Sequence, residues 1–148
     1  MSTVTAVNQT ANQVQFNTDI SKVFIHENEY IGATFINLTG GALSYLAGAL
    51  VGRISASGNI TMMKSGASDG SEKPIGILKT DITALAGSGT IDVNFCTKGQ
   101  VAEEKIIFDG SDTMLTVVDG SIIRDLIASN STGIRVVAGT EMTSFDNQ

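Results

Sequence analysis

His26 is the only histidine in this 148-residue chain, and it stands in the run His26-Glu27-Asn28-Glu29. An imidazole next to carboxylates is the material of a general base or a metal site. A nucleophilic triad needs such a base beside its nucleophile, and here the one candidate reads as a solvated surface histidine. His26, Glu27 and Glu29 adjoin one another without a second histidine or cysteine to close a metal site. Asp109-Gly110-Ser111-Asp112 begins like a calcium loop, but the sixth position is Met114 and the twelfth is Gly120, where that loop requires glycine and glutamate. An Asp-Gly turn accounts for it. Gly87-Ser88-Gly89 lacks the third glycine of a dinucleotide fingerprint and opens no helix.

The remaining candidates are equally bland. Glu103 and Glu104 are adjacent, so on a strand they point to opposite faces and cannot work as a carboxylate pair. Cys96 falls in step with Asp92 and Asn94, opposite Ile91, Val93 and Phe95, which places it at a contact surface rather than in the main core. Nothing beside it marks a reactive thiolate. Met62 and Met63 are neighbours on a strand, so at most one is expected to face the core. Asn8, Asn37, Asn59 and Asn130 each head an N-x-[ST] sequon, a by-product of an Asn/Thr-rich composition where no secretory signal precedes them. The inventory supports neither catalysis nor a cofactor.

The elements that must position these residues follow from glycine and apolar spacing. All sixteen glycines lie at or after Gly32, so residues 1–31 read as an extended arm and 32–137 as a turn-rich body, with a polar tail over 138–148. In the arm, Val14 and Phe16 alternate with polar residues, and Val23 and Ile25 alternate with Phe24 and His26, both at the strand period of two. Such strands are unstable alone. They must pair with the body, a sister subunit or another protein.

In the body the pattern predicts strands over 33–38, 49–56, 59–64, 74–79, 90–97, 101–108 and 134–137. Turns fall at Ser57-Gly58, Asp69-Gly70, Gly87-Ser88-Gly89, Lys98-Gly99 and Asp109-Gly110. One helix is expected from about Gly120 to Ser129, with Asp119 or Ser121 as its N-cap and Ile122, Ile123, Leu126 and Ile127 on its apolar face. The fold class is therefore mostly β: a small barrel-like domain with one short C-terminal helix and an extended N-terminal arm.

Charge narrows the partners. Nine basic against fifteen acidic residues give a net charge of -6, and the basic residues are scattered singly. A nucleic-acid binder clusters them against phosphates, so no direct nucleic-acid contact is expected. The apolar run from Tyr45 to Gly52 is far short of the roughly 20 residues of a spanning helix, and no membrane partner is expected. A single cysteine leaves stability to packing and to oligomerisation.

Two longer runs are more specific: Gly48 to Ile60 (GALVGRISASGNI) and Ser65 to Leu78 (SGASDGSEKPIGIL). With a strand ending at Lys98-Gly99, the Ile106-to-Gly110 run IIFDG, and a terminal helix leading into Thr132 to Val137 (TGIRVV), they resemble the head decoration proteins of lambda-like tailed phages over about Tyr30 to Val137. The resemblance implies a β-clip-like domain that forms homotrimers on the outer face of the virion head, at three-fold and quasi-three-fold positions. It implies a non-enzymatic cement that binds after expansion and braces the shell against packaged DNA. It also implies an N-terminal arm that adds a strand to the major capsid protein. By position, Val4, Ala6, Val14 and Phe16 are then the side chains that contact the shell, because strand addition uses main-chain hydrogen bonds with alternate side chains for specificity. Two other readings remain: a trimeric β-clip nucleotide hydrolase with active sites between subunits, and a virion or cell-surface fibre module that binds a receptor.

Overall fold

The computed structural model describes residues 23–130 and 133–138. The four arm positions Val4, Ala6, Val14 and Phe16 lie outside them, as does the tail from residue 139.

Ten strands and one helix make up the body: β1 (Phe24–Ile36), β2 (Leu43–Tyr45), β3 (Leu50–Arg53), β4 (Ile60–Met62), β5 (Pro74–Leu78), β6 (Ile82–Leu85), β7 (Thr90–Ala102), β8 (Val117–Val118), β9 (Ser121–Ile122), α1 (Ile123–Asn130) and β10 (Gly133–Val137). The main sheet runs β1-β4-β3-β5-β7-β10, and β1 also pairs with β7. That extra pairing closes five strands into a barrel and leaves β10 outside the ring. β10 lies parallel to β7 from Gly133↔Lys98 to Val137↔Ala102. Among the described residues the fold is mostly β with one short helix, as expected.

Closure gives the strands two buried sides. Inside the barrel lie Phe35, Ala49, Val51, Ile60, Met62, Leu78, Ile82 and Phe95. Outside it, under α1 and the 106–118 segment, a second core holds Leu50, Met63, Ile77, Cys96, Val101, Ile106, Met114, Val118, Ile123, Ile127 and Ile134. Neighbours along a strand point to opposite faces, so Leu50 and Val51, Met62 and Met63, Ile77 and Leu78, and Phe95 and Cys96 each divide between the cores. Burying each of these larger side chains contributes about 1.5–3 kcal/mol.

Several expectations change as a result. Both Met62 and Met63 are core residues, because each face of their strand has a core to enter. Cys96 is fully buried beneath the helix rather than at a contact surface. The expected strand over 101–108 is broken: β7 ends at Ala102, and Glu103–Lys105 form a 3-10 turn. Glu103 pairs with Arg124 on α1 instead of standing on a strand face.

Lys98-Gly99, expected as a turn, lies within β7. The glycine is needed for a bulge rather than a reversal: β1 shifts register between His26 and Tyr30, and Glu27 has a φ of 49°. Gly99, at a φ of 120°, faces that bulge so closely that a Cβ would sit 2.7 Å from the Asn28 Cα. Asp119 and Gly120 do not cap the helix. Both have positive φ, 50° and 85°, and turn β8 into β9 as a two-residue hairpin of the kind Asp-Gly favours. α1 starts only at Ile123.

Candidate functional site

The residues with chemical potential are dispersed. His26 is exposed and its Nε2 lies 3.5 Å from Glu27, while Glu29 meets Lys98 at 3.8 Å, all on the bulged part of β1. Among the described residues, no three His, Cys, Asp or Glu side chains gather as a metal site. The calcium-like run is a loop brace, in which Asp112 accepts hydrogen bonds from the Ser65 N–H (2.9 Å) and hydroxyl (2.6 Å).

An open groove of about 680 Å³ is lined by Ser55, Ser68, Asp69, Glu72, Lys73 and Ile75, among others. Its carboxylates are engaged by their own loop. Asp69 accepts from the Ser71 hydroxyl and N–H, which hold its carboxyl below the usual range, and Glu72 accepts from the Gly70 N–H. The groove is shaped by this turn, whose carboxylates are held by its own N–H and hydroxyl groups.

The root of the arm is firmly built. Val23, the first described residue, accepts the Ala102 N–H at 2.9 Å and packs against the second core. Phe24 sits opposite Val101 and meets Tyr30 edge-on at 5.5 Å, and Lys79 places its ammonium 4.4 Å from the Tyr30 ring centroid. From there β1 runs unbroken through Gly32 to Ile36, antiparallel to β7 throughout. The strand that alternation marks over Val23 to His26, without an obvious partner, therefore has one in β7. Val23 thus leads directly into β1–β7, the longest ladder among the described residues.

The opposite end of that ladder is organised by Asn37, a residue whose role the sequence hid behind a sequon. It is fully buried, and its amide donates to the carbonyls of Gly41 and Leu85 at 2.9 Å each. Its side-chain oxygen accepts from the Thr39 N–H and hydroxyl and from the Tyr45 hydroxyl at 3.0 Å. Its backbone pairs with Gly89 and Ser88. One asparagine thus ties three loops over the Phe35 end of the barrel, with no room for a glycan on its amide. A signal existed in the sequence: Asn37 is a polar residue amid 23 uncharged ones, Tyr30 to Gly52.

Three features define the molecule: a closed barrel with two cores, a welded arm root at one end and a braced apolar rim at the other. No curated protein sequence matches the chain as a relative. A family model does: bacteriophage lambda head decoration protein D, over residues 4–119. The match takes in most of the arm and every strand through β8, and ends before α1 and β10. The chain belongs to the bacteriophage lambda head decoration protein D family, structural proteins carried on the outside of the phage head.

Proposed function

We propose that this chain is a non-enzymatic cement: it binds the expanded head as trimers and braces the shell against packaged DNA, with its N-terminal arm adding a strand to the major capsid protein. The observation that carries the reading is the extent of the family match, which begins at residue 4 and so includes Val4, Ala6, Val14 and Phe16. The arm root supports it. A segment recruited into another protein's sheet must resist being pulled out of its own, and this one leads into a thirteen-residue strand, ten of whose residues are registered against β7. The acidic surface suits the outside of the shell, away from DNA. The hydrolase reading gains no support from the described loops, where Asp69, Glu72 and Asp112 are each engaged by neighbouring N–H groups.

The test is deletion of residues 2–16, followed by incubation with expanded, undecorated heads. The truncated protein should keep its β circular-dichroism spectrum and fail to co-sediment with heads that the full chain saturates. Undiminished binding would overturn the arm mechanism.

A further inference from the structure

At the Asn37 end of the barrel Leu38, Leu43 and Ile91 stand in solvent, at 51%, 45% and 43% exposed, and Leu46, 56% exposed, follows Tyr45, whose hydroxyl donates to Asn37. Register brings their segments together. Leu43 pairs with Leu85 in the β2–β6 ribbon, Ile91 lies opposite Phe35, and Asn37 binds the loop carrying Leu38 to residues 85–89. The same stretches carry no charge. None of the nine basic and fifteen acidic residues lies between Tyr30 and Gly52 or between Ile82 and Ile91. Asp81 and Asp92, which bound the second stretch, accept hydrogen bonds from the Ala47 N–H at 2.7 Å and the Thr34 hydroxyl at 3.0 Å. The other strongly exposed pair, Leu115 and Val117, is set in a different sequence context, between Asp112 and Asp119.

A rotation axis accounts for this combination. Close to a three-fold axis each residue meets two copies of itself, so any charge there is brought together three times over. For a chain of net charge -6, an apolar end whose nearest carboxylates, Asp81 and Asp92, stand only at its border is a surface that copies can share with little repulsion. The end is also rigid. Its loops are already fixed by the buried asparagine, so association orders little that was free. Finally, it is remote from the arm root: Ile36↔Thr90 closes the ladder here and Phe24↔Val101 closes it at the far end. Three chains joined at this end start their arms away from the axis, facing different neighbours.

We infer that the uncharged leucine end of the barrel is where copies of this chain meet around a three-fold axis, an inference that rests on the trimer reading above. The test compares the full chain with Leu38→Asp, Leu46→Asp and, as a control, Leu115→Asp, by sedimentation equilibrium at micromolar concentration with circular dichroism as the check on folding. The full chain and Leu115→Asp should be trimers; Leu38→Asp and Leu46→Asp should be folded monomers. Should the aspartates prevent folding, Leu38→Gln and Leu46→Gln carry the same test, each weakening trimer association at least about tenfold. Trimers of unchanged affinity in these variants overturn the placement and leave the trimer standing. A monomeric full chain overturns the trimer reading and this inference with it.

Discussion

Cys96 shows how much a side chain's surroundings depend on what covers its strand. The Asn28 amide donates to its sulfur at 3.5 Å and the thiol donates to the Lys98 carbonyl at 3.2 Å. Burial pushes the thiol above its ordinary pKa, against the smaller opposing pull of those two hydrogen bonds. The native protein should therefore resist thiol reagents at pH 8 and react fully in denaturant. The same shift sets a sign for stability. Below the unfolded thiol's pKa, about 8.5, both states hold the proton and nothing is lost. As pH rises past it, the unfolded chain ionises first, so folding weakens until the folded thiol's own pKa is reached. Burial also raises Tyr30 and Tyr45 above 10.0, which extends the loss to higher pH. Urea unfolding between pH 7 and 9.5 should show a decline for the native chain that Cys96→Ala flattens; equal slopes would place the decline elsewhere.

The strands over 49–56, 59–64, 74–79, 90–97 and 134–137 were legible because alternation and glycine turns bound each of them, and the structure trims or extends them by a few residues. What was not legible has physical causes that a single sequence does not show. A single sequence shows which residues are apolar but not that a helix and a loop cover the outside of the barrel, so Cys96 and Met63 looked surplus to a one-sided sheet. β2, β6, β8 and β9 are two to four residues long, too short to show a period. At the arm, alternation at Val23 and Ile25 was visible while its partner was not, since the partner lies some seventy residues on in β7. The covering helix yields a prediction that separates packing from charge. Ile123 is fully buried, so Ile123→Ala should cost about 2–5 kcal/mol in urea unfolding. Arg124→Ala removes only the partly exposed pair with Glu103 and should cost under about 1 kcal/mol. The reverse order would mean that α1 is held by its ion pair.

At the scale of the whole molecule, the proposed cement would divide the work of a clamp between the arm root and the leucine rim, at the two ends of the β1–β7 ladder. In that proposal a load on an arm would enter at Phe24 and be shared along a paired strand that ends beside the rim at Ile36. A short extended arm binds weakly by itself, because ordering it opposes the strand pairing it gains. In the proposed trimer three arms on one rigid body would change that balance, since after the first had docked the others would bind at a high effective concentration. Mixed trimers assembled from full-length chains and chains lacking residues 2–16 make this measurable. A trimer with one arm should occupy expanded heads about 10² to 10⁴ times less tightly than one with three. An affinity that falls only in proportion to the number of arms would mean that each arm binds alone and that joining the barrels at the rim adds nothing to the grip.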